Sequence, residues 1–130
     1  MSEFRTPLKA VGGLGSAREG VGHWWAQRLT AIALAPLSIW FLWQMSALAG
    51  ADYATIRATL GQPLYAVPLL LFIWALFYHG QLGLQVVIED YVHHRPTEIV
   101  LLVLVKFLAL VAGLTATIAI LLLIFGGTLT

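Results

Sequence analysis

The sequence contains no cysteine, which excludes a disulfide, a cysteine-ligated zinc and an iron–sulfur cluster held by this chain. Any redox chemistry it takes part in must use a haem, a quinone or a cofactor carried by another chain. Charge is also scarce: only 10 % of the residues are charged, where a soluble globular domain carries about a quarter. The chain also lacks amphipathic alternation. Its hydrophobic residues, 60 % of the total, fall in long blocks. A helix needs roughly 20 apolar residues to cross about 30 Å of hydrocarbon, and three blocks reach that length. At 130 residues there is room for one domain.

The expected fold is therefore all-α, a three-helix transmembrane bundle with spans at about 28–49, 64–91 and 98–125. Residues 1–23 are polar and carry Gly12, Gly13, Gly15, Gly20 and Gly22 among Arg5, Lys9 and Arg18. So many glycines disfavour a helix, and the segment reads as an extended arm ahead of a membrane anchor domain at 24–130. It has no apolar stretch of signal-peptide type and is expected to be retained. Pro36 lies inside the first span and is expected to bend it. In the linker at 50–63, Tyr53–Leu60 is suited to a short surface helix. After the second span, Pro96 occupies the first turn of the next helix, a position it favours. No internal repeat is present, and three spans cannot form two matching halves, which weighs against an inverted-repeat transporter.

Orientation follows from the basic residues. Arg5, Lys9, Arg18, Arg28, Arg95 and Lys106 fall on or near one side, and Arg57 alone on the other. The positive-inside bias then puts the N-terminus in the cytoplasm and the C-terminus across the membrane. Lys106 is near enough to the start of its span to snorkel outward.

Few residues within or beside the spans have chemistry to offer. His79 lies twelve residues before Tyr91, roughly 18 Å deep at about 1.5 Å per residue. An ionisable group at that depth is a functional candidate. Two readings are open: axial ligation of haem iron, or a neutral imidazole hydrogen-bonded across the bundle. Gly83, one turn on, and the adjacent Gly80 would let a flat macrocycle approach the backbone. His23, His93 and His94 fall at the cytoplasmic boundary, and Met45 lies near the opposite face. A second axial ligand would have to come from another chain, and a self-contained two-haem cytochrome is discounted, since it needs four buried histidines and one is expected at membrane depth.

Asp90 lies eleven residues beyond His79, about three turns, and so returns to its face of the helix. Tyr91 sits at the interface, where its phenol can anchor the helix or donate a hydrogen bond to a quinone carbonyl. Arg28 opens the first span, either as a snorkelling flank or as a partner for an anion such as a haem propionate. Gln81 and Gln85 are expected to hydrogen-bond between helices, and Glu89 and Glu98 to be solvated.

Arg28-x-Thr30-Ala31 opening one span, then His79-x3-Gly83-x6-Asp90-Tyr91 closing the next, resembles the D-type hydrophobic membrane anchors of succinate dehydrogenase. The likeness covers the three-span layout and nearly the whole chain. The chain lacks the Ser…His-Arg-x-Thr-Gly run of the sister C-type anchor. The resemblance implies a haem b shared with that sister anchor, with His79 as one axial ligand. It implies Tyr91 as the hydrogen-bond donor to ubiquinone, Asp90 as support for that site, and Arg28 near the haem propionates or quinone pocket. It further implies an iron–sulfur subunit and a flavoprotein subunit on the cytoplasmic face, carrying the iron–sulfur clusters and FAD. This chain would do no succinate chemistry itself. The implied setting is the bacterial inner membrane, with the mitochondrial inner membrane as the alternative, lipid as a partner and no nucleic acid. A fumarate reductase anchor and a non-redox structural subunit are the alternatives.

Overall fold

A computed structural model describes residues 16–126 of the chain. Four helices follow one another: α1 (Ser16–Ala47), α2 (Tyr53–Leu60), α3 (Pro63–Tyr91) and α4 (Arg95–Phe125). Among the described residues three stretches are long and apolar enough to cross a membrane: Gly20–Ala47, Pro63–Tyr91 and Arg95–Phe125. The chain is thus an all-α protein with three candidate spans.

One expectation changes. The expected arm includes residues 16–23, and these are the first two turns of α1, not an extended segment; residues 1–15 lie outside the described residues. Once a helix has nucleated, each added residue gains a hydrogen bond, and that propagation carries α1 back through Gly22 and Gly20. Pro36 lies inside α1, as expected, and the helix continues through it to Ala47. A proline removes one N–H, here the partner of the Ile32 carbonyl, and the remaining ladder holds. Pro68 in α3 is accommodated in the same way.

The connections are short, and the first of them carries a side-chain cap. Gly50 has φ 84°, a left-handed turn that glycine enters without steric cost. Asp52 then caps α2, its carboxylate accepting from the Thr55 amide at 3.2 Å. Hydrogen bonds from the Thr55 side chain and backbone hold this carboxyl below the ordinary aspartate range. Arg57, from α2, donates through Nε to the Leu123 carbonyl at 3.2 Å and so closes the last turn of α4. Pro96 stands in the first turn of α4 as expected.

α3 is the central helix. It packs on α1 along one side and on α4 along another, while α1 and α4 do not pack on each other among the described residues. The buried cluster of Leu60, Leu69 and Ile120, with Trp40, Phe41 and Ile56 against it, lies at the α2 end. Phe41 and Phe72 stack there with ring centroids 4.6 Å apart. Toward the other end of α3 only Leu82 and Ile88 are buried. α4 approaches α3 closely at Gly113, where an added Cβ would meet the Trp74 ring at 3.0 Å. The Trp74 indole donates to Thr117 Oγ1 at 3.0 Å and fixes that ring. The bundle is thus closed at the α2 end and open toward Tyr91.

Candidate functional site

His79 stands in the open half of α3, half-buried. Its Nδ1 lies 3.0 Å from Thr30 Oγ1 on α1. The same hydroxyl oxygen lies 2.7 Å from the Ala26 carbonyl and 3.1 Å from that of Gln27. Nε2 of His79 makes no hydrogen bond to any described residue. One turn along, a Cβ at Gly83 would touch only Gln27 Nε2, at 3.7 Å, and one at Gly80 would meet nothing within 4 Å. The imidazole is therefore gripped at one nitrogen and flanked by bare backbone.

Thr30 entered the sequence reading only as part of a motif, and Gln27 not at all. His23, Gln27 and Thr30 recur at helical spacing and form a polar stripe on α1. That spacing was the available signal. His23 Nε2 and Gln27 Oε1 are both buried without a hydrogen-bond partner. Two orphaned polar atoms one turn apart, in line with His79, call for water or a bound polar group.

The other expected residues do not converge on His79 within this chain. Arg28 is exposed, and its guanidinium lies over the Trp24 ring at 5.1 Å. Two helical steps of about 100° turn it away from the face that carries Thr30. Tyr91 ends α3 and is 79 % exposed; Asp90 beside it is also exposed. Gln85 does not bridge helices. It donates to Glu89 Oε1 at 2.8 Å on its own helix, because an i,i+4 partner is within reach without crossing a gap. Glu98 pairs with Arg95 at 3.1 Å and is not simply solvated. His94 Nδ1 is 2.8 Å from Thr97 Oγ1.

A cleft of about 560 Å³ opens between α1, α3 and α4, with His23, Tyr78, Gln81 and Lys106 in its lining. It does not include His79. Among the described residues there is no group of three or more His, Cys, Asp or Glu able to hold a metal ion. A haem asks less of any one chain: a single imidazole nitrogen on each side of a flat ring. An oriented imidazole beside two glycines fits one such side, and the second ligand would have to come from elsewhere.

Comparison with known proteins agrees with this geometry at the level of family. A sequence profile described as succinate dehydrogenase/fumarate reductase transmembrane subunit matches residues 2–120. The chain is 36 % identical over 108 residues to the succinate dehydrogenase hydrophobic membrane anchor subunit of Rickettsia bellii, covering 83 % of this chain and 86 % of that one. It is 33 % identical over 96 residues to the succinate dehydrogenase membrane anchor subunit of Reclinomonas americana, covering 72 % and 80 %. The corresponding subunit of Paracoccus denitrificans is 35 % identical over 88 residues, covering 68 % of each chain. No solved structure matches. With the profile spanning nearly all of a three-span chain, the protein belongs to the family of succinate dehydrogenase/fumarate reductase transmembrane subunits.

Proposed function

We propose that this chain is the D-type membrane anchor of a succinate:ubiquinone oxidoreductase, supplying one axial ligand to a haem b and part of the ubiquinone site. The observation that carries the reading is His79: an imidazole far from either end of a membrane-length helix, held at Nδ1 and flanked by Gly80 and Gly83. A buried ionisable side chain is costly in hydrocarbon, and a ligand role explains both its presence and the bare backbone around it. A b-type haem bound there would supply a one-electron redox centre.

The chain's own groups then have distinct tasks. His79 would hold the haem through Nε2, and the glycines leave space beside it. Tyr91, exposed at the end of α3, donates its phenolic proton in a hydrogen bond to a ubiquinone carbonyl. A donor placed where negative charge develops during reduction stabilises that charge. Asp90 offers a carboxylate beside it to hold a proton drawn from the cytoplasm. Arg28, turned toward the outside of α1, serves an anion presented by a neighbouring chain, a haem propionate or the quinone pocket. The wide unfilled face of α3 suits the sister anchor, and the flavoprotein and iron–sulfur subunits dock at the Tyr91 end, on the cytoplasmic side of the bacterial inner membrane. Succinate is oxidised on those partners, not here.

Tyr91→Phe in the whole complex tests the quinone assignment. It should lower ubiquinone reductase activity while leaving succinate oxidation by a soluble acceptor intact; equal loss of both, or of neither, counts against it. For the haem, the reduced-minus-oxidised spectrum of the complex must show b-type absorbance that His79→Ala removes or weakens. A complex without that absorbance favours the structural-subunit alternative.

A further inference from the structure

Thr30 makes three polar contacts with one oxygen, and they cannot all run the same way. The Ala26 and Gln27 carbonyls only accept, and the hydroxyl has one proton to give. At 2.7 Å from Ala26 O, Oγ1 is at the usual separation of an O–H···O bond. Two oxygens that close without a proton between them would repel. The hydroxyl proton is thus committed to the backbone, and what remains on Oγ1 is lone pairs. The third contact, His79 Nδ1 at 3.0 Å, is at N–H···O distance. The proton in that bond therefore sits on Nδ1.

We propose that Thr30 is the positioning residue of the haem site, fixing His79 as the Nδ1–H tautomer so that the lone pair on Nε2 is the one presented to iron. This rests on the haem reading and adds to it. A neutral imidazole has one protonated nitrogen, and the partner of that nitrogen decides which one is free to ligate. Thr30 suits the task because it is rigid. Its β-branched side chain has few rotamers in a helix, and the bond to the i−4 carbonyl selects among them. Bonds that run head to tail from Nδ1–H to Oγ1–H to a carbonyl also polarise one another. The ligand nitrogen becomes more basic and favours the oxidised iron.

The test uses the assembled complex with Thr30→Val, which keeps the branch and loses the hydroxyl, and Thr30→Ser, which keeps the hydroxyl. Valine should weaken haem affinity about 10- to 100-fold, the usual range for loss of a group that orients a metal ligand. The haem left should titrate at a more positive midpoint potential, and serine should restore both properties. A valine complex with wild-type affinity and potential overturns the proposal, as does a serine complex that fails like valine, since packing would then be the cause. Nitrogen-15 spectra of the histidine-labelled wild-type complex read the proton position without any substitution; a proton on the nitrogen facing away from Thr30 overturns the assignment. A wild-type complex lacking b-type absorbance sinks the haem reading itself, a distinct result from haem present with Thr30 irrelevant.

Discussion

Gly83→Ala separates what the chain needs from what its site needs. Within the chain, the new methyl would meet only Gln27 Nε2, at 3.7 Å, an ordinary contact with a flexible side chain. Glycine inside a helix costs about 0.5–1 kcal/mol relative to alanine, so the isolated subunit should gain roughly that much. In the complex, Gly83 lies one turn from His79 on the face assigned to the macrocycle. Forcing a methylene-sized group into a filled site costs about 1–3 kcal/mol, or about 5- to 140-fold in affinity. One substitution should therefore act with opposite signs, stabilising the subunit in detergent and weakening haem binding in the complex. Thermal unfolding of the purified subunit gives the first quantity, and haem titration of the depleted complex gives the second. Gly113→Ala is the internal comparison: its methyl would meet Trp74 ring carbons at 3.0 and 3.1 Å, so crowding there opposes the helix gain within the chain itself. Wild-type haem affinity in Gly83→Ala would refute the placement of the ring against this face.

Other expected outcomes concern packing, pH and orientation. Thr117→Val removes the acceptor of the Trp74 indole and should cost about 0.6–1.7 kcal/mol, the range for hydrogen bonds between membrane helices; a double-mutant cycle with Trp74→Phe should show coupling, and strict additivity would deny the bond any energetic role. The Asp52 carboxyl is held low by the Thr55 hydrogen bonds, so its cap on α2 is fully present above the pH at which an unfolded aspartate titrates and is lost as pH falls through its own lower value. The Thr55 amide proton shift, followed in micelles, should report a midpoint below that of a free aspartate; a midpoint at or above it contradicts the cap. A reporter fused to the C-terminus should score as non-cytoplasmic, and a cytoplasmic score would reverse the docking face.

The spans were legible because block length is a one-dimensional quantity: about 20 apolar residues against about 30 Å of hydrocarbon leaves little choice. The α2 helix and Pro96 in the first turn of α4 were legible because caps and prolines act over one turn. The start of α1 was not, since local glycine propensity argues against helix while propagation from the apolar span argues for it, and propagation prevailed at 16–23. Gln85 was assigned a partner on another helix, but Glu89 one turn away was nearer. His79 could be singled out by depth alone. Its contact with Thr30, 49 positions away, depends on how far α1 and α3 are slid along each other, and no local pattern encodes that. Arg28 falls on the far side of α1 by helical phase alone, which the spacing from Thr30 already encodes.

A helix that serves two neighbours which never touch each other leaves the protein with a debt its own side chains do not settle. α1 and α4 flank α3 without closing over it, and no large side chain in the described residues is fully buried. Much of the stability of such a fold is supplied on association, so it varies with the amount of partner available, by mass action, and is not a property of the sequence alone. A cell that makes this chain in excess accumulates copies in which one side of α3 is uncovered. Matched synthesis of the subunits is accordingly a physical requirement of this architecture as much as a matter of economy.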